Sequence, residues 1–169
     1  MKRVAIIGSH GIYANYGGWD QLVNNLAEQK SKDIQYIIYN SRDTPDFKVN
    51  LRNITVIKSF FKASGFEGLF FDFVSVLRSY FFVDTILFLG IQGLPLVPFL
   101  KIFKKINIVC NSGGIEWERK KFGYFARIYL RFCFKLSLKH ARHVILDNAY
   151  FNKYLPPKAD FKSDIHIIP

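Results

Sequence analysis

Short runs of consecutive apolar residues alternate along this chain with longer stretches in which apolar positions recur every three or four residues. The runs predict strands near Arg3 to Ile7, Ile34 to Tyr39, Ile54 to Ile57, Thr85 to Leu89, Ile106 to Cys110, His143 to Leu146 and Ile165 to Ile168. The stretches between them predict helices near Trp19 to Gln29, Gly68 to Phe81, Pro95 to Lys104, Gly123 to Ala141 and Ala149 to Tyr154. Runs such as VAII and TILFL are apolar at every position, which is the pattern of strands covered on both faces. The expected fold class is therefore α/β: a doubly wound, Rossmann-like, mostly parallel sheet with helices on both faces.

Phe81 to Leu100 carries a single charge, Asp84, over a length that can cross a bilayer, yet Gly90, Gly93, Pro95 and Pro98 interrupt it. Strand, loop and short helix, with Pro95 at the helix start, account for it better than a span. With 169 residues, half of them hydrophobic, the chain can bury a substantial core, and one domain over residues 1–169 is expected. Its linker-like stretch is Pro156 to Asp164, before the last strand. Cys110 and Cys133 both lie in apolar surroundings and read as small core residues of a reducing compartment. The apolar run after MKR is too short for the core of a secretory signal, so the reading is cytoplasmic.

The first strand runs directly into GSHGIYANYGGWD, Gly8 to Asp20. A strand, a glycine-rich loop and a helix start together build an anion site, because backbone N–H groups and the helix N-terminus face the ligand. A dinucleotide fingerprint needs GxGxxG and an acidic residue closing the second strand. Here the turn reads GSHG and the second strand ends in Asn40, Ser41 and Arg42, so no nicotinamide or flavin cofactor is expected. No Gly-Lys-Ser/Thr follows the strand either, which excludes the P-loop.

Charge changes the picture in the second half. Residues 1–90 carry a net charge of +2 and residues 91–169 a net charge of +9. In the Gly123 to Ala141 helix, Arg127, Arg131, Lys135 and Lys139 recur every four residues as one surface row, while the other three rows are largely apolar. Nearby in sequence are Lys101, Lys104, Lys105 and the run Arg119, Lys120, Lys121; a phenylalanine-rich stretch holds Phe60, Phe61, Phe66, Phe70, Phe71 and Phe73. Cations with exposed aromatics fit an anionic membrane surface. No RNA-recognition, zinc-finger or helix-turn-helix signature is present, so no nucleic-acid partner is expected.

A second polar loop, NSGGIEWERKKFG, Asn111 to Gly123, follows the Ile106 to Cys110 strand. In open parallel sheets ligands bind beyond the carboxyl ends of strands, so both loops are expected at one crevice. Glu116 supplies a carboxylate, Arg119 a bidentate anion clamp, Lys121 a point charge and Trp117 a flat face for a sugar. The alternative left open is that Glu116 and Arg119 form a simple spaced pair with Trp117 packed inward.

At these two loops the chain resembles bacterial glycosyltransferases of the GT-B class, the rhamnosyltransferase-like enzymes of capsular and exopolysaccharide assembly. GSHGIYANYGGWD is similar to their GTRGIPARYGGFE, GGIEWERKKFG to their DGLEWKRAKWG, and HARHVILDNAYFNKYL to their ADALIADSEGIADYL. The resemblance runs from Lys2 to about Leu155 and implies the amino-terminal, acceptor-side half of a two-domain enzyme. In this reading the chain lacks the carboxy-terminal nucleotide-sugar-binding domain, which becomes its partner, and does not turn over alone. By the resemblance, a sugar such as rhamnose would pass from a nucleotide-diphosphate donor to a lipid-linked or saccharide acceptor, with no separate cofactor and no metal. Gly17 and Gly18 would face the donor phosphates, flanked by His10 and Tyr16, and Tyr16, Glu116, Trp117, Arg119 and Lys121 would line the acceptor side.

The family's Asp falls on Gly113, its Arg on His10 and its Pro on Tyr13, which leaves the catalytic base unassigned between His10 and Glu116. The expected place of work is the cytoplasm, peripheral at the inner face of the plasma membrane. Two other readings remain at this point: a non-catalytic membrane-docking subunit of a split transferase, and a free-standing phosphate or nucleotide-binding module.

Overall fold

The strand that opens the chain becomes steadily more buried toward its carboxyl end, from exposed Lys2 and Arg3 to Ala5, Ile6 and Ile7 in the core. This polar-to-apolar gradient seats its end in the core and delivers the glycine loop to the sheet's rim. A computed structural model describes residues 1–29, 33–46, 53–103 and 105–168. Strands are β1 (Lys2–Ile7), β2 (Ile34–Asn40), β3 (Ile54–Lys58), β4 (Thr85–Leu89), β5 (Asn107–Asn111), β6 (His143–Leu146) and β7 (Asp164–Ile167). Helices are α1 (Gly18–Glu28), α2 (Glu67–Tyr80), α3 (Val97–Phe103) and α4 (Tyr124–His140). Short 3-10 turns occupy Leu94–Leu96, Glu116–Glu118, Ala149–Tyr154 and Lys158–Asp160.

The seven strands form one parallel sheet in the order β3-β2-β1-β4-β5-β6-β7. The order reverses between β1 and β4, the hallmark of a doubly wound sheet. Every predicted strand is present, displaced by no more than a residue or two at its ends. The chain divides into two compact units, Met1–Leu87 and Phe88–Pro169.

In the first unit, Val4 registers with Tyr36 and Tyr36 with Ile54. Ile37, Ile38 and Tyr39 of β2 are buried, as are Phe71 and Val76 of α2. The Ser79 hydroxyl of α2 donates to the Tyr39 hydroxyl at 3.0 Å, satisfying a polar group the core would otherwise strand. In the second unit, Cys110 of β5 registers with Val144 of β6, and Val144 with Ile165 of β7. Leu130, Cys133, Phe134 and Leu138 of α4 are buried with Phe151. The Ser163 hydroxyl lies within 2.7 to 3.1 Å of the carbonyls of Ser137, Leu138 and Ala141. Its one O–H is shared among acceptors at the end of α4, of which the Ser137 and Leu138 carbonyls also accept from Ala141 N and Lys162 N.

Two predicted helices take tighter forms. The segment beginning at Pro95 starts as the 3-10 turn Leu94–Leu96 and becomes α-helical at Val97. Pro95 and Pro98 lack the N–H groups that would carry α-helical bonds further back, so the regular helix starts late. Ala149–Tyr154 is wholly 3-10, opened by Asn148, whose side chain accepts from Tyr150 N at 2.9 Å. Phe81 to Leu100 is divided among the exit from α2, β4 and the turn into α3, and among the described residues no helix is long and apolar enough to cross a membrane.

Both cysteines are buried and unpaired. Burial pushes the Cys110 thiol far above its ordinary range and the Cys133 thiol up to about 12. Asp72 of α2 is also buried, and no ion pair forms with it among the described residues. Loss of hydration raises its carboxyl to about 7. A carboxyl held above its ordinary value costs stability as pH climbs toward neutrality and stays costly above it. Asp72→Asn is therefore expected to stabilise the chain by about 3 kcal/mol at pH 8 and to have little effect at pH 4. Urea unfolding at the two pH values measures the difference.

Candidate functional site

The first loop is organised by one carboxylate. Asp20, 1% exposed in the first turn of α1, accepts from the backbone N–H groups of His10 at 2.8 Å, Tyr16 at 3.0 Å and Gly17 at 3.2 Å. The His10 ring faces it, Nδ1 lying 3.6 Å from Oδ2, and stacks on Tyr16 with centroids 4.2 Å apart. Burial pushes the Asp20 carboxyl up, but hydrogen bonds from His10 and from the Tyr16 backbone outweigh it and hold the group below its ordinary value of 3.8. A carboxylate here also suits the positive end of the helix.

The second anchor is the end of β2. Asn40, 3% exposed, receives the Ile12 N–H on Oδ1 at 2.9 Å. The His10 carbonyl accepts from Ser41 N at 2.9 Å and from Thr44 Oγ1 at 2.6 Å. Gly11 passes so close that an added Cβ would lie 2.1 Å from Asn40 Oδ1 and 2.7 Å from its Cα, at φ +112°. Only glycine fits there. Where a dinucleotide fold places an acid for a ribose, this chain places an amide that is consumed in holding its own loop.

Tyr13 takes φ +61°, a value closed to proline, and donates its N–H to Asn24 Oδ1 at 2.8 Å. The departure from the family's proline therefore accompanies a different backbone at that residue. A bulky residue in this region is strained and is held there by its surroundings.

Gly17 and Gly18 are exposed, and a Cβ at either would meet nothing within 4 Å. Among the described residues, the N–H groups of Gly18 and Trp19 are paired with no acceptor. The loop thus spends three amides on Asp20 and, among the described residues, leaves two at the start of α1 without an acceptor. His10 Nε2 is buried without a hydrogen bond.

The second loop lies in the other unit. Ser112 N donates to the Ile145 carbonyl at 3.0 Å and Gly113 N to Asn111 Oδ1 at 3.2 Å, which fixes the exit from β5. Glu116 and Arg119 pair at 2.8 Å, with Glu116 the more sheltered partner. Trp117 corrects the expectation of an open aromatic platform: it is 2% exposed. Phe134 at 4.9 Å, Tyr154 at 5.5 Å and Phe151 at 6.2 Å surround its ring. Its Nε1 is buried with no acceptor. Tyr154 donates its hydroxyl to Glu118, and Lys153 lies 3.5 Å from the Tyr150 ring centroid, so the Ala149–Tyr154 turn braces this loop. Lys121 sits over the Phe122 ring at 4.8 Å and is exposed.

The basic row is shorter than its spacing implies. Arg127 is drawn toward the second loop, its Nη2 donating to the Arg119 carbonyl at 3.4 Å and its Nε buried. Arg131, Lys135 and Lys139 remain on the surface. Of the three largely apolar rows, the one holding Tyr124, Ile128 and Phe132 turns these three residues to solvent. In the first unit, Phe71 is fully buried while Phe60, Phe66 and Phe70 are exposed. Phe60, Phe61 and Phe70 line a groove of about 630 Å³ with Val74, Arg78 and the Arg42–Glu67 ion pair.

Comparison with known proteins adds three findings. The family described as "Domain of unknown function (DUF1972)" matches residues 1–63 and 85–168. A solved structure of sucrose-phosphate synthase from Thermosynechococcus elongatus superposes with a TM-score of 0.73 at 15% identity, covering 100% of this chain and 48% of that one. The likeness shows the fold, that of one half of a GT-B glycosyltransferase, and the chain spans about half the length of the matched structure. Among curated proteins, none matches this sequence.

Two outcomes test the loop's construction. Gly11→Ala forces contact with Asn40 at a positive φ and is expected to lower stability by about 3 kcal/mol, whereas Gly17→Ala, in open space, should change it by less than about 1 kcal/mol. Thermal melts of the two variants make the comparison. Because the folded carboxyl of Asp20 lies below its unfolded value, its contribution is complete above about pH 4 and is lost as pH falls through the folded value. Asp20→Asn should lower the melting temperature at pH 7 and flatten the acid limb of the stability profile.

Proposed function

The chain belongs to the DUF1972 family, and from that premise we propose that it is the acceptor-side half of a glycosyltransferase. The reaction is transfer of a sugar, rhamnose in the finer reading, from a nucleotide-diphosphate donor to a lipid-linked or saccharide acceptor in cell-surface polysaccharide synthesis. The observation that supports it most is the first loop: two exposed glycines at a helix start, with the Gly18 and Trp19 amides unpaired among the described residues, on a backbone fixed from behind by Asp20 and Asn40.

Negative charge grows on the departing diphosphate, and N–H groups already aimed at it lower the barrier without reorganisation. Gly18 and Trp19 would offer those N–H groups, and Gly17, whose own N–H is held by Asp20, would leave room for the phosphates to approach, with the Tyr16 ring beside them. On the acceptor side, Glu116, Arg119 and Lys121 would supply one carboxylate and two cations, and Trp117 would hold their loop from beneath. A partner domain carrying the nucleotide-sugar site would complete the enzyme.

Titration of the purified chain separates this reading from its rivals. Saccharide acceptor analogues are expected to bind, and free nucleotide diphosphates only weakly. Tight nucleotide binding without acceptor binding would favour a free-standing nucleotide module and overturn the proposal. In an active enzyme carrying this chain as its first half, Gly18→Trp should fold normally yet reduce sugar transfer about a hundredfold, the size of effect that follows loss of one oriented donor. Unimpaired turnover would remove the loop from the donor site.

A further inference from the structure

We infer that the outer face of α4 is a membrane-docking surface, specific for anionic lipid, in which cations and aromatic side chains act together. This goes beyond the transferase reading and does not depend on it.

Arg131, Tyr124, Lys135, Ile128, Lys139, Phe132 and Phe125 fall, in that angular order, within an arc of about 120° at 100° per residue. Tyr124 is 74% exposed, Phe125 85%, Ile128 48% and Phe132 52%. The three cations between them are exposed as well. The buried residues Leu130, Cys133, Phe134, Ser137 and Leu138 occupy the opposite arc. Thus α4 is amphipathic toward its own core, and its free face is amphipathic a second time.

No Asp or Glu occurs among the 17 residues of α4, so nothing on the helix neutralises those cations. The half of the chain that contains it carries a net charge of +9. Seventeen residues present a flat strip roughly 25 Å long. Water is a poor environment for so many large apolar groups side by side, and such a patch marks an interaction site.

The choice of occupant follows from how the two kinds of residue are mixed. Aromatic and aliphatic side chains interleaved with Lys and Arg suit a headgroup layer, where rings reach the acyl boundary while cations meet phosphates. A nucleic-acid reader would place Asn, Gln, Ser or Thr among its cations for base edges and sugars, and this arc holds none. Each cation near an anionic bilayer strengthens binding roughly fivefold, so the three give about a hundredfold. Charge alone therefore gives only loose attachment, and the apolar side chains must supply the rest.

Sedimentation of the chain with vesicles tests this. Binding is expected to vesicles of phosphatidylcholine mixed with phosphatidylglycerol, and much less to phosphatidylcholine alone. Arg131→Glu, Lys135→Glu and Lys139→Glu combined should reduce binding at least a hundredfold, and Phe125→Ser with Phe132→Ser at least tenfold. All five positions are exposed, so unchanged melting temperatures are expected and confirm that folding is intact. Phe125→Trp should give emission that shifts to the blue on adding the anionic vesicles, reporting entry of the ring. Equal binding to neutral vesicles, indifference to charge reversal, or an unmoved emission spectrum would overturn the inference. So would a single-stranded oligonucleotide that binds α4 more tightly than the anionic vesicles do. None of these outcomes bears on acceptor or nucleotide titration, so the two readings fail separately.

Discussion

A single buried carboxylate decides the shape of the first loop. Charge-assisted bonds from two stretches of that loop, His10 and the Tyr16–Gly17 pair, converge on Asp20, and together they outweigh the cost of taking the charge out of water. Without it, the amides of His10, Tyr16 and Gly17 would lose the acceptor that draws these separate parts of the loop together. The glycine pair is exposed at the rim because the residues on either side are tied down.

Asp20 also bears on the proposed reading of the loop as an anion site. The positive end of α1 already faces one negative group of its own, so an incoming phosphate would meet a partly satisfied helix end. Among the described residues, two amides remain unpaired. The arrangement exchanges raw electrostatic pull for order: the loop's shape is set by its own bonds, and in the proposed reading little conformational entropy would be lost on binding. Asn40 works in the same direction from the other side, binding Ile12 and crowding Gly11. The second loop follows the same plan with different chemistry, its Trp117 sunk among Phe134, Phe151 and Tyr154.

The sheet was legible in the sequence because apolar runs flanked by polar turns have few other uses; VAII in β1 and ILFL in β4 are unbroken apolar runs that suit inner strands. The glycine loop was legible as a type but not in its wiring. Asp20 reads as an ordinary first-turn acid, and its bonds to His10 depend on a chain reversal that no local pattern encodes. Asn40 could be seen only as a missing acid. On α4, periodicity places Tyr124, Ile128 and Phe132 in one apolar row, yet a period reports only that residues share a face, and whether that face is covered is decided outside the helix. Arg127 left its row for a carbonyl in the second loop, a contact between segments that spacing along a helix does not register.

The two thiols, Cys110 on β5 and Cys133 on α4, lie in the core of the same unit, and burial suppresses the thiolate form that reacts with alkylating and oxidising agents. An intact molecule should therefore ignore such reagents, and any labelling that occurs must follow separation of the helix from the sheet. The pair acts as an internal clock for opening: the labelling rate of these sulfurs measures how often that unit comes apart, with no probe introduced from outside.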